Sequence, residues 1–152
     1  MINKKAFIIL IMLGICISLS AQKNGDSLTI VSWNIQMLPK VYQPFTKLTR
    51  KKQSIRAPKI IQYLNAADFD LIILQEVFDR SIQKEIAKDL IVNYPYQQIP
   101  IKEGFTWKLS SGVMILSKHP MKFLKNLIFN TSKKSDKAAQ KSCVLVQVEI
   151  GN

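Results

Sequence analysis

Leu71-Ile72-Ile73-Leu74-Gln75-Glu76-Val77-Phe78-Asp79 is the run around which this chain is organised. Four apolar residues in succession, Leu71 to Leu74, are too few for a helix standing alone. Asp68 and Asp70 punctuate the chain just before them. The pattern predicts a strand buried on both faces, as in sheets that helices cover. Glu76 follows at its exit. A carboxylate is costly to bury unless a charge or a metal compensates it. One held at the end of a buried strand is a rigidly mounted oxygen ligand, of the kind Mg²⁺ or Ca²⁺ prefers. The plainer reading, a solvated Glu opening a loop, is the commoner fate of a glutamate. The surrounding sequence weighs between the two.

Upstream, Leu28 to Ile35 is rich in β-formers and alternates in part, which predicts a strand with Asn34 at its end. Residues 37–49 contain Pro39 and Pro44 and read as a loop. A basic cluster follows: Lys47, Arg50, Lys51, Lys52, Arg56 and Lys59. Ala57, Ile60, Ile61 and Leu64 then fall at helical spacing. Pro58 either opens that helix or kinks it.

Downstream, Asp79 or Ser81 is placed to cap a second helix whose buried stripe is Ile82, Ile86 and Leu90. Asn93-Tyr94-Pro95-Tyr96 ends it. Tyr96 to Ile101 reads as a short strand and 102–111 as a loop carrying Phe105 and Trp107. Gly112 to Ser117 predicts another buried strand, stopped by Lys118-His119-Pro120. Met121 to Phe129 predicts a strand with a lysine-bearing outer face, and 130–141 a polar loop. Ser142 to Ile150 alternates through Val144, Val146 and Val148 and predicts a last strand. The order β-α-β-α followed by β means a layered α/β sandwich.

The chain has 152 residues, which suits one domain, and its 47% apolar content is ordinary for a globular protein. Lys4 and Lys5 followed by an apolar core, Ala6 to Leu19, and small residues at Ser18, Ser20 and Ala21 predict a signal peptide over 1–21. Residues 22–27 form a polar leader, and 28–152 the folded part. Cleaved after Ala21, the signal peptide implies a secreted or periplasmic location; uncleaved, it would serve as an anchor. Ile15 occupies the place where a lipidated Cys16 would need a small residue, which argues against a lipoprotein. The formal charge is +12, and removing 1–21 takes only Lys4 and Lys5, leaving +10. That balance favours anionic partners, whether phosphates, nucleic acid or an acidic membrane surface. Cys143 is then the one remaining cysteine, so packing and not a disulfide holds the fold. Its place at the start of an apolar strand predicts a small core residue.

Three stretches in this order, Trp33-Asn34, Gln75-Glu76-Val77-Phe78-Asp79 and Ser111-Gly112-Val113-Met114-Ile115-Leu116-Ser117-Lys118-His119-Pro120, resemble the endonuclease/exonuclease/phosphatase superfamily, the DNase-I-like hydrolases. Glu-Val-Phe-Asp, Tyr94-Pro95 and the Gly-Val-x-Ile-x-Ser-Lys-x-Pro strand look most like its neutral sphingomyelinase branch. Asp136 followed by Lys141 and Val144 is similar to that branch too, although Ser142 stands where the branch has Gly. The resemblance implies a four-layer α/β sandwich with two central sheets. It also implies Mg²⁺-dependent hydrolysis of a phosphodiester, sphingomyelin giving ceramide and phosphocholine. Glu76 matches the family's metal-binding glutamate and Asn34 the asparagine that helps hold metal and phosphate. On its own, an Asn after a strand reads as a turn-forming amide.

The family continues with Thr-His-Leu, Asp-x-Asn and Ser-Asp-His motifs, and none of these occurs before Asn152. The chain therefore resembles the amino-terminal half of such an enzyme, expected to be inactive alone. The only histidine, His119, lies where the family is variable. The alternatives are a nuclease or another phosphatase of the same fold, which the basic cluster suits equally well, and a non-enzymatic remnant or basic binding module. Without the second half, Leu71 to Leu74 and Val113 to Leu116 are expected to lose their cover, leaving the chain poorly soluble or molten.

Overall fold

The computed structural model of the chain describes residues 27–39, 47–104, 109–129 and 139–150. The signal peptide, most of the polar leader, the aromatic pair Phe105 and Trp107, and Asp136 lie outside the described residues.

The elements are β1 (Ile30–Met37), α1 (Lys47–Ala67), β2 (Leu71–Val77), α2 (Arg80–Asp89), β3 (Tyr96–Gln98), β4 (Met114–Ser117), β5 (Met121–Ile128) and β6 (Ser142–Val148). Four strands form one sheet in the order β1-β2-β4-β3, and β5 and β6 form a second. β1 and β2 run parallel, with Ile30 opposite Leu71 and Trp33 opposite Leu74. Parallel neighbours need a long crossover, and α1 supplies it. β4 runs antiparallel to both β2 and β3.

The core lies between this sheet and the two helices. Ile35, Met37, Ile72, Leu74, Val77, Met114 and Leu116 from the strands meet Ala57, Ile60, Ile61 and Leu64 of α1 and Ile82, Ile86 and Leu90 from α2 and its end. Trp33 stands edge-on to Tyr63 of α1, with ring centres 5.9 Å apart. Tyr94 is buried too and donates its hydroxyl to the Leu64 carbonyl at 3.2 Å. That burial holds its phenol above the ordinary value. The predicted caps and stripes of α2 are present: Asp79 is the N-cap and accepts from the amides of Ser81 and Ile82.

Three expectations need correction. The first helix starts at Lys47, well before Pro58, which lies inside it. The basic cluster is therefore helical. Gln53, Ala57, Ile60, Ile61 and Leu64 make its buried stripe, and the polar first member hides the pattern. Cys143 is exposed. The half-buried side of β6 is Val144, Val146 and Val148, and Cys143 and Leu145 point the other way by strict alternation. Lastly, Leu71, Ile72, Leu74 and Met114 to Leu116 are buried. On β5 and β6, by contrast, Phe123, Leu124, Leu127 and Leu145 are half exposed. The second sheet is tied to the loop after β3, where Glu103 and Gln140 exchange hydrogen bonds and Asn126 donates to the Glu103 carboxylate at 2.7 Å.

Candidate active site

Asn34 and Glu76 lie at the carboxyl ends of two neighbouring parallel strands, the edge where open α/β sheets place their ligand sites. Asn34 pairs with Gln75, but the next matched pair is Met37 with Val77, so β1 carries an irregularity at this point. Gln36 and Glu76 both adopt left-handed backbone, φ 51° and 57°. For residues with a side chain this conformation costs about 1–3 kcal/mol each and persists where the surroundings enforce it, often at functional sites. Here it has a visible result. Leu74 and Val77, three apart, both enter the core, whereas strict alternation would have sent Glu76 there. The turn at Glu76 lifts the carboxylate out toward Asn34, whose Nδ2 donates to Glu76 Oε1 at 2.9 Å. Asn34 Oδ1 accepts from the Gln36 amide at 3.1 Å, which fixes the side chain from the opposite side.

The surroundings that enforce this geometry come from three elements. From α1, Arg56 donates to the Ile35 carbonyl at 2.8 Å and Gln53 to the Leu38 carbonyl at 3.3 Å. After β2, the amides of Phe78 and Asp79 both donate to the Met37 carbonyl, at 2.9 and 3.0 Å. Before β4, the Val77 amide donates to the Gly112 carbonyl at 2.8 Å. Gly112 has φ +70°, and a Cβ there would stand 2.5 Å from the Phe78 ring. Glycine is the residue that meets both demands.

Asn34 and Glu76, the two residues singled out from sequence, are thus brought together. Sequence reasoning does not find Arg56 and Gln53 as supports. Their membership of the α1 stripe, one helical turn before Ala57 and Ile60, is the signal that could. His119 is not brought to this site. Its Nε2 lies 3.4 Å from Asp70 Oδ1, at the start of β2 and about 20 Å from Glu76 by the rise of a strand. At that end Asp70 accepts from the Thr29 hydroxyl at 2.6 Å and amide at 2.8 Å, with Lys118 3.9 Å away. These contacts, the Thr29 hydroxyl first, hold the Asp70 carboxyl down to about 2.

The donor set at the first end is one carboxylate and one amide, both hard oxygen ligands suited to Mg²⁺. Among the described residues Glu76 pairs with no lysine or arginine, and no group of three or more His, Cys, Asp or Glu gathers to hold an ion. Asn34 and Glu76 therefore fit a divalent ion as a two-ligand site whose other positions water and phosphate oxygens would fill.

The arrangement, a mixed sheet carrying a carboxylate and an amide side by side at its strand ends, has relatives. The chain belongs to the Endonuclease/Exonuclease/phosphatase family, whose model matches residues 31–148. Among solved structures it is similar to sphingomyelinase C from Streptomyces griseocarneus, at 23% identity and a TM-score of 0.67, over 83% of this chain and 46% of that one. It is also similar to a β-hairpin deletion mutant of beta toxin from Staphylococcus aureus, at 25% identity and a TM-score of 0.60, over 75% of this chain and 43% of that one. A double mutant of the same toxin with bound magnesium ions matches at 25% identity and a TM-score of 0.62, over 76% of this chain and 42% of that one. The chain spans less than half the length of these relatives. No curated protein matches it. The fold is accordingly part of a DNase-I-like α/β sandwich.

Proposed function

We propose that this chain is the amino-terminal part of a secreted, Mg²⁺-dependent phosphodiesterase of the sphingomyelinase type, hydrolysing sphingomyelin to ceramide and phosphocholine. The observation that carries the reading is the Asn34–Glu76 pair, held at 2.9 Å by backbone that leaves the usual strand path to make the contact. Glu76 would bind Mg²⁺ directly, and Asn34 would orient Glu76 through its Nδ2 and offer its amide oxygen to the ion. When bound, the ion would polarise the phosphoryl oxygens and offset the charge that develops on them. The chain's own part is to hold these two donors rigidly, with Arg56 and Gln53 fixing the carbonyls beyond Asn34. No histidine stands near enough to move a proton here, so this chain alone is expected not to turn over. The nuclease reading is favoured by one observation, the exposed Lys52 and Lys59 on α1.

The test is an assay, with Mg²⁺, of a protein in which this chain is joined to the remainder of the sandwich. Phosphocholine release from sphingomyelin is expected, and Glu76→Gln should lower kcat about 10³-fold. DNA cleavage without phosphocholine release would transfer the reading to a nuclease. Activity untouched by Glu76→Gln would end both. On the chain alone, calorimetry should find weak, millimolar-range Mg²⁺ binding. Amino-terminal sequencing of the exported protein should begin at Gln22.

A further inference from the structure

The wall of α2 not occupied by Ile82 and Ile86 borders a groove of about 530 Å³, closed on the far side by residues of β3 and the segment after it. Its apolar lining is Ala87, Ile91 and Ile99, and the two isoleucines are half exposed to water. Arg80, Lys84 and Lys88 line it as well. They recur every four residues, so they form one row along the helix, about 12 Å long. Among the described residues none of the three pairs with a carboxylate. Gln83 and Gln97 also line the groove, but their side-chain amides are bonded within the fold, to the carbonyls of Val77, Ala87 and Tyr94.

Unpaired cations in a row beside an open apolar channel match a ligand that is charged at one end and oily along its length. We propose that this groove binds a single-chain anionic amphiphile. Its alkyl chain lies along Ala87, Ile91 and Ile99, and its head group sits on the Arg80–Lys84–Lys88 row. An acidic peptide fits less well, because a peptide backbone needs hydrogen-bond partners and the groove's amide side chains are already used. A bilayer fits less well, because the apolar lining is recessed in a groove that a single chain enters and a flat surface does not. The proposal shares no residue with the Asn34–Glu76 pair and stands or falls apart from the phosphodiesterase reading.

Monomeric dodecyl phosphate, titrated below its micelle threshold into the exported protein that begins at Gln22, is the probe. Saturable binding is expected, weakened roughly tenfold by shortening the chain to decyl phosphate. The double variant Lys84→Glu with Lys88→Glu should weaken it by about tenfold or more. Lys122→Glu with Lys125→Glu, the same charge change on exposed positions of β5, should leave it within about twofold. Equal losses in the two variants would reduce the effect to general charge attraction and overturn the proposal. Equally tight binding of uncharged dodecyl maltoside, or binding to phosphatidylglycerol vesicles alone, would overturn it too. Both variants alter exposed side chains, and circular dichroism matching the parent chain shows that each is folded.

Discussion

The four-stranded sheet and the two-stranded sheet are built from similarly apolar strands, yet they live in different surroundings. The inner positions of the first are sealed: Ile72, Leu74, Met114 and Leu116 lie under two helices with no measurable exposure. Phe123, Leu124, Leu127 and Leu145 of the second stand nearly half open to water. Composition alone does not separate them. What separates them is that β1 and β2 are linked by a helix long enough to fold back on the sheet, while β5 and β6 pair only with each other among the described residues. A strand's apolar character becomes stability only where another layer covers it.

The largest expected contrast comes from the same substitution in both sheets. Leu74→Ala should destabilise β2 by about 3 kcal/mol, and Leu145→Ala should cost about 1 kcal/mol or less. Hydrogen exchange of the strand amides measures both, and equal costs would erase the distinction. Next is Gly112→Ala, which adds a Cβ against Phe78 in left-handed backbone. It should cost about 2 kcal/mol and loosen protection at Val77, whose amide bonds to Gly112. Asp79→Ala removes the cap of α2 and should cost about 1 kcal/mol, seen as faster exchange at Ser81 and Ile82. The effect confined to the narrowest range of conditions is titration of Asp70. Native contacts depress its carboxyl from 3.8 to about 2, so its contribution is full above the ordinary carboxylate range and is lost as pH falls through about 2. Thr29→Val should raise the midpoint seen by carboxyl NMR and shrink the acid-side loss of stability. An unmoved midpoint would show that the hydroxyl does not hold the charge.

Much of the helix-covered half is legible in the sequence. The Leu71 run, the Asp79 cap and the Ile82–Ile86–Leu90 stripe each carry a local physical cause, and each is found where expected. The pairing of Asn34 with Glu76 is legible only through resemblance, because left-handed backbone at two ordinary side chains, Gln36 and Glu76, leaves no compositional mark. The early start of α1 is hidden by its lysines and by Pro58, which local rules read as a boundary but a packed helix tolerates. Cys143 falls on the opposite face from the one expected. An apolar residue beside an alternating run is tempting to include, whereas the phase of the run excludes it.

The parallel pairing of β1 with β2 also has a consequence in time. Asn34 and Glu76 are 42 residues apart along the chain, and every β1–β2 contact spans a similar distance. β5 and β6 close over a far shorter loop, with Ile128 opposite Ser142. Loop closure makes the distant pairing the slower to form. On a ribosome, Asn34 would emerge long before its partner and wait. The site is assembled only when the crossover has closed and Gly112 has arrived to brace Val77.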